Sequence, residues 1–215
     1  MYYKIIFNKL NYIINKINNA IRALYYGHGV LVFDNENREN ESDIIFPSEK
    51  ITIDQMSLTI RYGSGIICLC LIDDYCYQLK IPMMVKSNNS RYRTGFTISI
   101  ESYKVTTGVS STDRLNTIFT AISDNLNFKK LKKPGHIFPL CTKPGGILER
   151  KGHTEAAVDL ITMAGLKSTA ILCEITNDNG SMARTLEIKK FSKIYNINLI
   201  TIKDLFIYRK KQFFM

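Results

Sequence analysis

Apolar residues along the chain fall into alternating helical and strand-like spacings. Ile6, Leu10, Ile13, Ile17, Ile21 and Leu24 recur three or four positions apart, which predicts an amphipathic helix over 1–26, stopped by Gly27-His28-Gly29. Val30–Phe33 reads as a short apolar strand, and strand character resumes at 44–46 ahead of Pro47. A helix is predicted over 52–62, with Thr52 or Ser48 as its cap. The β-branched and apolar run 66–71 fits a buried strand, 75–81 a short helix ending at Pro82, and 96–101 an alternating strand. Further on, 113–125 reads as a helix, 129–134 as a basic loop, 153–164 as a helix ended by Gly165, and 170–175 as a second buried strand. A helix over 185–195, a strand over 198–202 and a last helix over 202–209 complete the pattern. Helices and strands that alternate without linker or repeat imply one layered α/β (α+β) domain over 1–215.

Composition narrows this picture. With 45% apolar and 22% charged residues the chain is globular rather than disordered. No apolar run approaches the roughly 20 residues that a membrane-spanning helix needs. The first residues mix Lys and Asn into the apolar positions and offer no signal peptide, so a cytoplasmic location is expected. The five cysteines are an odd number and are expected as free thiols. Cys68 and Cys70 are expected on opposite faces of one strand, unable to hold a metal together. The net charge is +10, and heavy use of Ile, Asn, Lys and Tyr assigns much of it to lysines on solvated faces.

Position matters more than the total. Segment 34–43 holds five of the nineteen acidic residues and one basic residue, leaving 28 basic and 14 acidic residues, a net +14, elsewhere. An acidic run is usually a solvated loop. This one lies between two apolar strands, and Glu39-x-Glu41-x-Asp43 places three carboxylates on one side if extended, a donor set that suits a hard divalent cation. Arg150-Lys151-Gly152-His153-Thr154-Glu155 precedes an apolar-periodic helix, whose N-terminus suits a phosphate; the plainer alternative is a cap by Thr154. His153 is also a candidate metal ligand. His136 stands among apolar residues, where a structural role is commoner. Glu174 lies within a buried-looking strand, which points to a general acid/base. No phosphate-binding loop, dinucleotide fingerprint, nucleophile elbow or His-Glu-x-x-His motif occurs, so no organic cofactor is expected. The basic runs at 129–133 and 209–211 leave a nucleic-acid-binding module as an alternative reading.

Six ordered blocks converge on one family. They are Asn37-Arg38-Glu39-Asn40-Glu41-Ser42-Asp43, Arg61-Tyr62-Gly63-Ser64-Gly65-Ile66-Ile67-Cys68 with Thr94-Gly95-Phe96-Thr97, Thr106-Thr107-Gly108-Val109-Ser110-Ser111-Thr112-Asp113-Arg114, Pro134-Gly135-His136-Ile137-Phe138-Pro139-Leu140, 150–160, and Cys173-Glu174-Ile175. From about residue 20 to 209 the sequence resembles the 3,4-dihydroxy-2-butanone 4-phosphate synthases of riboflavin biosynthesis. The resemblance implies a layered fold with a mixed β-sheet flanked by helices. It also implies conversion of D-ribulose 5-phosphate into L-3,4-dihydroxy-2-butanone 4-phosphate and formate, with Mg²⁺ or Mn²⁺, in a homodimer whose sites form at the subunit interface. Glu39 and His153 would hold the metal. Arg38, Glu39, Asp43, Glu174 and the run Arg150, Lys151, Gly152, His153 and Thr154 would bind substrate, the phosphate lying near Arg150 and Thr154. His136, Glu174, Glu41 and Asp43 would act in catalysis, and Cys68 and Thr112 would line the site.

The sequence departs from the family pattern at three places. Ser42 replaces the usual Gly, which would be strained if that position needed a positive φ. Cys141 replaces a common Arg, and Asn35 a common Asp. These departures motivate an inactive homologue as a further alternative. No cyclohydrolase domain is expected.

Overall fold

The computed structural model describes the backbone of residues 2–35 and 38–213 and the side chains of 7–35 and 38–212. Asn37 and the side chain of Ile6, named above, and Glu36, within the segment 34–43, lie outside the described residues. The strands are β1 (Val30–Phe33), β2 (Ser42–Pro47), β3 (Cys68–Leu71), β4 (Ile100–Ser102), β5 (Leu131–Cys141), β6 (Thr169–Glu174) and β7 (Asn198–Thr201). They form one seven-stranded mixed sheet in the order β4-β5-β3-β6-β2-β1-β7. β1 with β7 and β3 with β5 pair in parallel, and the other neighbours are antiparallel.

Helices cover both faces, which is why the central strands are apolar throughout. Ile44, Leu69, Leu71 and Ile171 pack with residues of α2 (Ile53–Tyr62), α3 (Asp73–Gln78), α4 (Ser111–Ala121) and α7 (Thr185–Ile194). Ile45, Cys68, Cys70, Ala170 and Leu172 pack against α1 (Tyr2–Tyr25), α5 (Gly146–Glu149), α6 (His153–Met163) and α8 (Ile202–Phe213). The stripe expected on α1 is the buried one: Ile13, Ile17 and Leu24 are at most 5% exposed. Thr52 caps α2 in a capping box with Gln55.

Several expectations need correction. The segment 129–134 is not a loop: a 3₁₀ turn at Phe128–Lys130 leads straight into β5, which begins at Leu131. Pro134 is tolerated there because the β4–β5 register shifts between Ile100 and Glu101, where no ladder N–H is required. The strand expected over 96–101 is regular only from Ile100, and Phe96 and Thr97 make isolated bridges to Leu140 and Met83. Cys68 and Cys70 share one face, as a period of two requires. Cys76 and Cys141 form a disulfide, with Cα atoms 6.6 Å apart, so the expectation of five free thiols falls; Cys68, Cys70 and Cys173 are free and buried. Ser42 has no positive φ and occupies β2, its hydroxyl donating to the Val32 carbonyl at 3.2 Å; Asn40, with φ 53°, takes the left-handed position instead. Among the described residues no helix is long and apolar enough to cross a membrane.

β2 carries Asp43 next to Ile44, which is fully buried. Replacing Ile44 by Ala should lower the unfolding free energy by roughly 2–5 kcal/mol. A urea titration of the two proteins measures this, and an unchanged midpoint would remove Ile44 from the core.

Candidate functional site

One end of the sheet opens into a cavity of about 330 Å³. Its floor comes from adjacent strands: Asp43 of β2 pairs with Glu174 of β6, and Leu172 of β6 with Cys68 of β3. The turn before β2 adds Arg38, Glu39 and Glu41, α6 adds His153 and Thr154, and the segment before it adds Arg150. Thus three guanidinium groups, counting Arg91, face four carboxylates and one imidazole. Glu39, Glu41 and Asp43 reach the same cavity, although not through an extended run, because the backbone reverses at Asn40.

His153 is the pivot. Its Nε2 donates to the Val32 carbonyl at 3.1 Å, while Nδ1 lies 3.0 Å from Glu39 Oε2 and 3.7 Å from Asp43 Oδ2. Burial favours the neutral ring, but Asp43, Glu39 and Asp34 outweigh it and raise His153 to about 9. Burial pushes Asp43 up to about 8, reinforced by the carboxylates Glu174, Glu39 and Glu41. Burial also raises Glu41. It would raise Glu39 too, but the hydrogen bond and charge of His153, then Arg38, hold Glu39 below its ordinary value.

The cations are braced rather than free. Arg38 bonds Asp34 at 2.6 Å and Glu39 at 2.9 Å and lies over the Tyr92 ring, 4.6 Å from its centroid. Arg150 pairs with the buried Glu155 at 2.5 Å and donates to the Tyr92 carbonyl and the Thr94 hydroxyl. A side chain at Gly152 would collide with this Arg150–Glu155 pair. Gly152 supplies no side-chain cap to α6, and Thr154 sits inside the helix, so the expected Thr154 cap is replaced by a helix N-terminus open at the cavity. Glu174 is only half-buried, at the end of its strand, and accepts from the Ser64 hydroxyl at 2.7 Å.

Other expected residues lie elsewhere in the chain. Lys151 turns away, its ammonium 4.1 Å from the centre of the Phe206 ring of α8, and Gly152 does not line the cavity. Thr112 is exposed on α4. His136 is half-buried on β5, its Nδ1 2.7 Å from Glu101 Oε1. Gly108, with φ +81°, makes that pair possible, since a Cβ there would collide with the Glu101 carboxylate. Arg91 and Tyr92 line the cavity without having been singled out, and no sequence pattern pointed to them; Thr94, named only within a family block, lines it too.

The donor set fits a divalent cation. Asp43 Oδ1 is buried without a hydrogen-bond partner. The neutral His153 tautomer that donates Nε2–H to Val32 carries its lone pair on Nδ1, beside Glu39, the arrangement that orients a ligating imidazole. Among the described residues no three His, Cys, Asp or Glu side chains form a ready-made cage. Two protein ligands with water or substrate oxygens are what a partly hydrated hard cation takes.

Comparison with known proteins follows this geometry. The 3,4-dihydroxy-2-butanone 4-phosphate synthase family matches residues 18–208. The chain is 56% identical over 196 residues to the 3,4-dihydroxy-2-butanone 4-phosphate synthase of Photorhabdus laumondii, covering 91% of this chain and 90% of that one. It is 54% identical over 209 residues to that of Baumannia cicadellinicola, covering 97% and 99%. A crystal structure of 3,4-dihydroxy-2-butanone 4-phosphate synthase in complex with two magnesium ions superposes with a TM-score of 0.86 at 32% identity, covering 91% and 96%.

The titrations give a pH signature. Asp43 and His153 lie above their ordinary values of 3.8 and 6.5 in the fold: ionising the buried Asp43 costs stability progressively as pH rises from its ordinary value to about 8, and the stability contributed by the His153 proton is full below 6.5 and lost as pH rises through about 9. Melting temperature without metal should therefore fall from pH 6.5 to 9. Mg²⁺ affinity should rise over the same window, by up to about tenfold per pH unit, because Nδ1 must shed its proton to coordinate. Calorimetric Mg²⁺ titrations at several pH values test this, and a flat affinity would exclude His153 as a ligand.

Proposed function

The chain belongs to the 3,4-dihydroxy-2-butanone 4-phosphate synthase family, and from that premise we propose that the cavity between β2, β6 and α6 is where D-ribulose 5-phosphate becomes L-3,4-dihydroxy-2-butanone 4-phosphate and formate. The observation that carries this reading is the convergence of Glu39, Glu41, Asp43, Glu174 and His153 opposite Arg38 and Arg150. The site departures that motivated an inactive homologue leave this set whole. The nucleic-acid-binding reading is displaced by the family.

Glu39 and His153 would hold Mg²⁺ or Mn²⁺, which when bound polarises a carbonyl and stabilises the charge of an enediolate. Arg150 and the open N-terminus of α6, with Thr154, offer donors to the phosphate. Anchored there, the sugar presents successive carbons to fixed side chains. Asp43 and Glu174 lie side by side on the cavity floor with Glu41 on the turn before β2, and burial raises Glu41 and Asp43 above their ordinary values, the direction that a carboxyl group acting as acid and base needs. Arg38 carries charge toward the sugar hydroxyls. Cys68 supplies an uncharged wall, its thiol raised well above its ordinary value by burial. Gly152 contributes room for Arg150, while the Lys151 ammonium, held over the Phe206 ring, would reach substrate only by reorienting.

His136 and Thr112 would act from a second copy. Thr112 is exposed and His136 half-buried with its side chain 45% accessible, and neither lines the cavity of its own chain; on α4 and the loop before it, Phe119 at 41% and Val109 at 50% are exposed apolar side chains. This supports a homodimer with sites completed across the interface. The remaining elements of the reading are a lyase, one synthase domain over 1–215, no organic cofactor, no nucleic-acid partner and a cytoplasmic location.

Incubation with ribulose 5-phosphate and Mg²⁺ should release formate, and chelation should stop it; formate release indifferent to chelator would sink the metal-dependent reading. Glu39→Gln should abolish turnover while the fold persists. Mixing inactive Glu39→Gln with inactive His136→Ala should restore about a quarter of the sites if each is shared between two chains. No restoration after subunit exchange would place His136 outside the site.

A further inference from the structure

The acidic turn is held from outside itself. Within the turn, Arg38 and Asn40 donate their backbone N–H groups to the Asn35 carbonyl, and Glu39 donates to Asp34 Oδ2. These bonds leave the carbonyls of Arg38, Glu39 and Asn40 facing outward in succession. Two side chains remote in sequence take all three. The Tyr92 hydroxyl donates to the Arg38 carbonyl at 2.7 Å. Arg184 Nη1 donates to the Glu39 carbonyl at 3.0 Å and the Asn40 carbonyl at 2.5 Å, and lies 4.0 Å from Glu41 Oε1.

Both braces are themselves anchored. The Tyr92 carbonyl accepts from Arg150 Nε and Nη2, at 3.3 and 3.1 Å, and its ring lies under the Arg38 guanidinium. The Arg184 backbone N–H donates to Glu187 Oε2 at 3.1 Å at the start of α7. The turn they hold is a high-energy one. Asn40 has φ 53°, a region that Asn tolerates better than most residues, and its Oδ1 is buried without a partner. That reversal directs Glu39 and Glu41 into one cavity. Opposing carboxylates alone would push the turn open, since Glu39, Glu41, Asp43 and Glu174 crowd together there.

We propose that Tyr92 and Arg184 are positioning residues that clamp the three carbonyls of the acidic turn and so hold Glu39 in its metal-binding position. The proposal rests on the reading of Glu39 as a ligand. Tyr92 couples the metal side of the cavity to Arg150, and Arg184 couples it to α7, so both act through the backbone of the turn rather than on substrate. Removing partners that orient a ligand weakens metal binding by about 10–100-fold in known metal sites.

The test uses the full chain and Mn²⁺ alone, with free Mn²⁺ read by electron paramagnetic resonance, followed by formate kinetics. Arg184→Gln should weaken Mn²⁺ binding by about tenfold or more. Tyr92→Phe, which keeps the ring under Arg38, should weaken it several-fold. Both should raise KM for ribulose 5-phosphate while leaving kcat at saturating Mn²⁺ within about threefold, since the reacting groups are intact. Arg184→Lys should recover most of the loss. Unchanged circular dichroism and melting confirm that each variant is folded. Unaltered Mn²⁺ affinity in both Arg184→Gln and Tyr92→Phe would overturn the proposal, as would a loss confined to kcat or a Lys variant no better than Gln. Glu39→Gln in the same titration separates the two readings. If it alone loses Mn²⁺, the clamp is wrong and the site stands; if it binds as the native chain does, the metal assignment falls and the clamp with it.

Discussion

A buried imidazole bonded at both nitrogens ties the site to the fold. His153 is 7% exposed; Nε2 meets the Val32 carbonyl of β1, and Nδ1 meets Glu39 of the acidic turn. One ring therefore fixes the start of α6 against the sheet and the turn against both. Carboxylates packed this closely are costly unless a positive charge sits among them. In the cation-free protein the His153 proton supplies that charge, and a bound divalent ion would take over the same place. The same requirement explains why Asp43 can occupy a fully buried strand position opposite Glu174.

The sheet supplies rigidity and the loops supply charge. Asp43, Glu174 and Cys68 come from three neighbouring strands, each buried on both faces by helices, so their spacing is set by the strand ladder. Arg38, Tyr92 and Arg150 come from irregular segments, and each is locked by contacts with another: ring under guanidinium, carbonyl against guanidinium, carboxylate against guanidinium. A positive rim around an acidic centre suits a ligand that is both phosphorylated and metal-bound. The net charge of +10 adds a weak attraction for such an anion.

Much of the fold was legible because its signals are local. The period-two and period-3.6 runs gave β1, β6, α1 and α6 nearly to the residue, since an apolar run covered on both faces leaves little freedom, whereas β2 starts two residues earlier than its apolar run, at Ser42 within the charged segment. Elements carrying charges or prolines hid. β5 begins with Leu131-Lys132-Lys133-Pro134, which reads as loop until the register shift beside it is seen. Glu174 looked buried because its neighbours are, yet it sits where β6 emerges into the cavity. Ser42 drew suspicion that belongs to Asn40, two residues earlier. Residues that act through backbone carbonyls left no pattern: Tyr92 and Arg184 lie 54 and 144 residues from the carbonyls of Arg38 and Asn40 that they hold. The Cys76–Cys141 bond spans 65 residues and was equally invisible.

The central claim is that Glu39 and His153 share one cation in this cavity. A crystal of the protein soaked in Mn²⁺, with anomalous scattering measured at the manganese edge, tests it most directly. The account predicts an anomalous peak between the Glu39 carboxylate and His153 Nδ1, within coordination distance of both, with Nε2 still bonded to the Val32 carbonyl. A peak elsewhere, with Nδ1 still hydrogen-bonded to Glu39, would contradict it.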